Sequence, residues 1–129
     1  MKRLSNCVVA SLTVLLGAGI GGTLAAESES NYPQRPVRMI VPFPPGGAND
    51  IVARLVAHRL NERWGRPVVI DNRGGAGGNI GTEIGVKAAP DGYTLLIGSV
   101  STLASNVGLY PKLPFDPRRD LAPITLIAT

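Results

Sequence analysis

Two short glycine-rich stretches hold the residues of greatest chemical interest. One is Pro44-Pro45-Gly46-Gly47 ahead of Ala48-Asn49-Asp50, and the other is Gly74-Gly75-Ala76-Gly77-Gly78 ahead of Asn79. Each follows an apolar run and opens a helical pattern, which places the glycines at a helix N-terminus. Such a terminus exposes unpaired N–H groups and a partial positive charge. Glycine lets a ligand come close to the backbone and tolerates the positive φ angles that aim those groups. Two termini facing one space could hold a carboxylate or similar anion without any charged side chain. Each would contribute roughly 0.3 to 2 kcal/mol, depending on how dry the site becomes. Ser99, Ser101 and Thr102, just after a third apolar run, add hydroxyls within the same rim. The rival reading, glycines that serve only tight turns, loses ground because the pattern recurs in matching positions.

Other chemistries fit less well. In the dinucleotide fingerprint register, Gly75 and Gly77 as the first two glycines put Ile80 at the third. The acidic residue expected after the next strand is also missing. Neither turn is followed by Gly-Lys-Ser/Thr, so a phosphate loop fails too. His58, the one histidine, sits among arginines in a helical stretch and reads as a solvated surface residue. Asp50, Asp71 and Asp91 have cap or turn roles that account for them. No base accompanies the hydroxyls, no metal-ligand constellation is apparent, and Trp64 reads as core. No enzymatic activity and no cofactor are expected.

The elements around these turns alternate. "PVRMIVPF" from Pro36 reads as a buried strand, and "ANDIVARLVAHRLNERWG" as a helix with Asn49 or Asp50 as N-cap and Gly65 past its end. Its apolar positions Ile51, Val52, Leu55, Val56 and Leu60 recur at helical spacing and would pack on a sheet. Arg54, His58, Arg59, Glu62 and Arg63 would face water. "PVVIDN" is a second strand, "GNIGTEIGVKAA" a second helix, and Tyr93–Ile97 a third strand. Gly81 and Gly85 would let the second helix approach a neighbour closely. "STLASNVGLY" reads as a short helix, "PKLPFDPRRD" as an irregular connection and "APITLIAT" as a fourth strand. Strands alternating with helices predict an α/β fold with an open, mainly parallel sheet. Right-handed crossovers then bring the glycine turns to one edge, where ligands of such sheets bind.

Length and charge narrow the class further. The chain has 129 residues, enough for one modest domain. Residues 1–26 read as a signal peptide, with a basic start, an apolar stretch and small residues at Ala25 and Ala26. The apolar stretch is broken by Ser11, Thr13 and glycines through Gly22, and falls short of the ~20 residues a membrane span needs. Cys7 would leave with this segment, so no thiol chemistry is expected of the mature chain. Residues 27–35 read as a flexible leader, and residues 36–129 as the folded portion. Removing Lys2 and Arg3 leaves 11 basic residues against 9 acidic. The charges are interspersed and no aromatic platform lies beside a basic stripe, so no nucleic-acid partner is expected.

At this point the residues resemble a known family. "YPQRPVRMIVPFPPGGANDIVARLVAHRL", "GRPVVIDNRGGAGGNIGTEIGVKAAPDGYTLLIGS" and "LYPKLPFDPRRDLAPITLIA" are similar to the N-terminal part of solute-binding proteins of tripartite tricarboxylate transporters, the Bug-type receptors. The resemblance runs from Tyr32 to Thr129. It implies a periplasmic-binding-protein type II-like α/β fold, of which residues 36–129 would be part of the first of two lobes. It further implies a periplasmic, monomeric receptor that presents a small carboxylate to membrane permease subunits. The ligand contacts it implies are Pro45, Gly46, Gly47, Ala48, Asn49 and Asp50 in the first turn. In the second they are Gly75, Ala76, Gly77, Gly78 and Asn79, with Ser99, Ser101 and Thr102 on the rim. The sequence departs from the family pattern at Ala48-Asn49, where small hydroxyl residues are common, and at Val107, where proline is common. Family members run to about three hundred residues. A receptor ending at Thr129 would lack the second lobe, and weak or no carboxylate binding is expected of it. A non-functional remnant of such a receptor and, less well supported, a piece of a nucleotide-binding α/β enzyme are the alternative readings.

Overall fold

The computed structural model describes residues 31–127. The expected signal peptide and the first residues of the expected leader lie outside the described residues. Three parallel strands, β1 (Val37–Val41), β2 (Val68–Asn72) and β3 (Thr94–Leu96), form a sheet of order β2-β1-β3. β1 is central, with Met39 opposite Ile70 on one side and Leu95 on the other. The strand-rich apolar runs, each bounded by proline or glycine, give the α/β parallel sheet that the sequence predicts.

α1 (Ala48–Trp64) lies on one face of the sheet. It ends where Gly65, at φ 62°, turns left-handed and returns its N–H to the Asn61 carbonyl, the usual way a helix satisfies a last carbonyl. Val37, Met39, Val41, Val68 and Ile97 of the sheet pack against Ala53 and Ala57 of α1, with Val56, Leu60 and Trp64 at the margin. Fully burying a side chain of the size of Val37 or Met39 contributes about 1.5–3 kcal/mol.

The inner face of α1 differs from expectation. Ile51 and Leu55 are each 62% exposed, and the buried positions are Asp50, Ala53 and Ala57. Small residues let the helix axis come close to the strands, so closeness rather than side-chain bulk selects the face. The N-cap also differs: Gly47 takes the position, and Asp50 sits in the first turn.

α2 (Asn79–Val86), preceded by a 3-10 turn over Ala76–Gly78, covers β1 and β3 on the other face. Gly81 makes that approach possible, because a Cβ there would lie 2.7 Å from Pro42 Cα. The helix stops at Val86, three residues short of its expected end. A π-type turn over Ser101–Ser105 runs into α3 (Asn106–Leu109).

At the described start of the chain the Tyr32 ring packs edge-on to Trp64 at 5.5 Å, and its hydroxyl donates to the Gly92 carbonyl at 2.6 Å. Two further corrections concern the C-terminal part. The connection after Tyr110 contains one helical turn, α4 (Pro117–Asp120), where the Asp116 side chain caps the Arg118 N–H and Pro117 opens the turn. The expected fourth strand does not form among the described residues. Ile124 and Leu126 are 79% and 75% exposed there. An apolar strand pattern has no stability of its own without a neighbour to pair with.

Candidate functional site

Because β1, β2 and β3 are parallel, the three loops that follow them leave the same edge of the sheet. The first loop, Pro42–Gly47, enters α1 without a side-chain cap. The first N–H groups of a helix have no carbonyl one turn back to bond, so those of Ala48 and Asn49 stand open at this end. Pro45 has no N–H and can offer only its carbonyl. The Gly46 N–H is already taken, donating to Asp50 Oδ2 at 2.8 Å.

Asp50 is 3% exposed and closely partnered. Oδ2 also accepts from Arg54 Nε at 2.9 Å, and Oδ1 accepts from Asn72 Nδ2 at 3.0 Å. Asn72 gives its other amide hydrogen to the Phe43 carbonyl at 3.1 Å. Hydrogen bonds from Arg54, then Gly46 and Asn72, hold the Asp50 carboxyl far below the usual carboxylate range. Neither Asn72 nor Arg54 stands out in the sequence as a site residue. The signals that could have found them are the i,i+4 spacing of Asp50 and Arg54 and the polar pair Asp71-Asn72 closing an apolar strand.

The second loop contains four consecutive positive φ angles: Gly75 at 125°, Ala76 at 48°, Gly77 at 65° and Gly78 at 92°. Ala76 is the one non-glycine among the described residues held there, and an L-residue in the left-handed region costs about 1–2 kcal/mol. A left-handed residue followed by a right-handed one, here Gly78 and Asn79, turns successive N–H groups toward one point, the geometry of a backbone anion nest. Some of these groups are spoken for. The Gly78 N–H donates to the Gly75 carbonyl and the Asn79 N–H to the Ala76 carbonyl. Asn106, another residue the sequence did not single out, donates from Nδ2 to the Gly77 carbonyl at 3.0 Å and to Asn79 Oδ1 at 2.6 Å.

In the third loop, Ser99 and Thr102 bond reciprocally. The Ser99 N–H donates to Thr102 Oγ1 at 3.0 Å and the Thr102 N–H to Ser99 Oγ at 3.4 Å, the pattern of a capping box. Thr102 is fully buried and serves the turn. Ser99 Oγ and Ser101 Oγ lie 2.8 Å apart and are half-buried.

Gly78 is where the three loops meet. A Cβ there would lie 2.5 Å from Thr102 Cγ2, 3.2 Å from the Pro42 carbonyl and 3.4 Å from the Phe43 ring. Pro44 likewise packs against Gly74, where a Cβ would be 3.3 Å from its Cδ. The turns are therefore neighbours on one rim, with exposed backbone from Pro44 to Ala48 and from Gly74 to Gly77. A groove of about 360 Å3 lies elsewhere, along β2 between Arg38, Val69, Asp71 and Arg73, and none of the expected site residues lines it. Among the described residues no group of three or more His, Cys, Asp or Glu is placed to hold a metal ion. No helix among them is long and apolar enough to cross a membrane. His58 is exposed, 3.4 Å from Glu62.

Residues 52–129 match the family described as tripartite tricarboxylate transporter family receptor. The chain is 48% identical over 111 residues to protein BugT of Bordetella pertussis, covering 85% of this chain and 33% of that protein. It resembles the structure of MatC from Rhodopseudomonas palustris with bound malate, with 42% identity and a TM-score of 0.66 over 69% of this chain and 30% of that one. It also resembles R. palustris Rpa4515 with adipate, with 44% identity and a TM-score of 0.66 over 67% of this chain and 29% of that one. The chain spans about a third of the length of the curated relatives it matches. By fold, turn sequence and family match, this chain belongs to the tripartite tricarboxylate transporter receptor family.

Proposed function

We propose that the chain carries one wall of a receptor site for a small carboxylate, in an extracytoplasmic solute-binding protein that hands its ligand to membrane permease subunits. The observation that carries this reading is the meeting of two glycine turns and a hydroxyl-bearing turn at Gly78, on the edge of the sheet where α1 and α2 begin. The donors best suited to an anion are the N–H groups of Ala48 and Asn49 in the first turn and of Gly77 in the second. Ser99 and Ser101 add hydroxyls at the rim. Two related structures hold malate and adipate, which makes dicarboxylates the first ligands to try. The periplasmic location and the permease partner rest on the family.

Magnitudes limit what these turns do alone. Two helix termini at up to ~2 kcal/mol each supply ~4 kcal/mol, which corresponds to a Kd of about 1 mM. Titrating the 15N-labelled chain with malate is the test. Amide shifts at Ala48, Asn49 and Gly77, saturating near or above the millimolar range, are the expected outcome. A chain that shifts these amides with a nicotinamide dinucleotide and not with malate would overturn the carboxylate reading in favour of a nucleotide site.

A further inference from the structure

We infer that Asp50 is the positioning residue of the first glycine turn and not a ligand contact, and that it works as a pair with Asn72. The inference rests on the reading of the turns as an anion site and specifies which donors of the first turn remain available to it.

Phe43 and Gly46 are the two ends of the Pro44-Pro45 segment. Asp50 takes the Gly46 N–H, Asn72 takes the Phe43 carbonyl, and the two side chains are joined at 3.0 Å. One carboxylate and one amide thus clamp both ends of the turn, and the end of β2 fixes the turn that follows β1. The clamp occupies the Gly46 N–H and leaves Ala48 and Asn49 among the open donors of α1.

Charge is the apparent objection. A carboxylate in the first turn of α1 would repel an anion at the same helix end. Arg54 answers it, because its Nε bonds the same Oδ2 from one turn further on. The pair is neutral, and Asp50 is left with the geometric role. Arg54→Ala should therefore weaken anion binding even though Arg54 points its guanidinium at Asp50 and not at the rim.

Amide hydrogen exchange of the full chain without ligand tests the clamp directly. The Gly46 amide should be protected, and Asp50→Ala should speed its exchange about tenfold or more, the loss expected for a hydrogen bond to a charged acceptor. Ala57, inside α1, should speed only by the overall loss of stability, so a larger factor at Gly46 than at Ala57 separates the clamp from general destabilisation. Asp50→Asn keeps one carbonyl oxygen for the Gly46 N–H and should restore part of the protection. If Asp50→Ala does not fold, Asn72→Ala reports instead, since it opens the Phe43 end and should speed Gly46 exchange without touching its acceptor. An unprotected Gly46 in the native chain, or exchange unchanged in both Asp50→Asn and Asn72→Ala, overturns the clamp. A malate titration in which Gly46 shifts more than Ala48 and Asn49 overturns it as well. Failure of malate to shift any amide, with Gly46 exchange behaving as expected, upholds the clamp and rejects only the reading that these turns hold malate by themselves.

Discussion

Asn106 and Asn79, 27 residues apart in the chain, are joined by a 2.6 Å hydrogen bond between two buried side chains. The second hydrogen of the Asn106 amide goes to the Gly77 carbonyl, so one side chain from α3 holds both the glycine turn and the start of α2. Removing it leaves Asn79 Oδ1 buried without that donor. An unsatisfied buried acceptor costs about 1–3 kcal/mol. Asn106→Ala should lower the unfolding free energy by that amount, read as a lower urea midpoint with the slope of the transition unchanged. A loss under about 0.5 kcal/mol would mean water replaces the amide and the two loops are held by other contacts.

Gly78 and Thr102 make a sharper test of how the loops meet. Alanine at 78 would have to adopt φ 92° and would place its Cβ against Thr102 Cγ2. Backbone strain of this kind costs about 1–3 kcal/mol, and the overlap adds to it. Thr102→Ser removes the methyl while keeping the hydroxyl that bonds Ser99. Gly78→Ala should therefore be less damaging in the Thr102→Ser background, with a coupling of about 1 kcal/mol in a double-mutant cycle of unfolding energies. Strict additivity would show that the two loops do not press on one another at this point.

Much of the architecture could be read from residue order. β1 is legible because Val37, Met39, Ile40 and Val41, interrupted only by Arg38, form an apolar run between prolines, close to what a central parallel strand requires. The end of α1 is legible because Gly65 is the residue that turns left-handed there. The glycine turns were legible in the sequence, and their supports were not. The glycines announce donors at helix starts, whereas Asn72 and Asn106 act on residues 22 to 29 positions away, a relation no local pattern encodes. The segment around Ile124 misled for a related reason: its pattern asks for a strand, but pairing is a property of two segments. α4 was missed although Asp116 before Pro117 is a helix-start signal, because four residues carry no periodicity.

The face of α1 gives a prediction that separates bulk from closeness. Ile51 and Leu55 are largely exposed, whereas Ala53 is fully buried against the sheet. Ile51→Ser and Leu55→Ser should each change stability by less than about 0.5 kcal/mol, as exposed substitutions usually do. Ala53→Leu should cost about 1–3 kcal/mol by overpacking. Chemical denaturation of the three variants decides the matter. A large loss at Leu55 with a neutral Ala53→Leu would mean that the larger residues face the sheet after all.

Acid sensitivity follows from the carboxylates that hold the strand ends and turns. Arg54, Gly46 and Asn72 hold Asp50 far below the ordinary carboxylate range. Burial alone would raise Asp71, yet hydrogen bonds from Arg38 and Arg73 outweigh it and lower its pKa as well. A carboxyl whose folded pKa is lowered contributes stability that is fully present above its unfolded value, about 4. That contribution is lost as pH falls toward and through the folded value. Stability should therefore be flat with respect to these two groups from neutrality to about pH 5 and decline below about pH 4. Asp50→Asn should be less stable than the native chain at neutral pH and should show a shallower acid decline, since one of the titrating groups is gone. Urea unfolding at a series of pH values, with carboxyl carbon shifts followed by NMR, would check both parts. An Asp50 carboxyl that titrates near pH 4 would show that its three donors do not hold it in solution, and the clamp on the first turn would go with them.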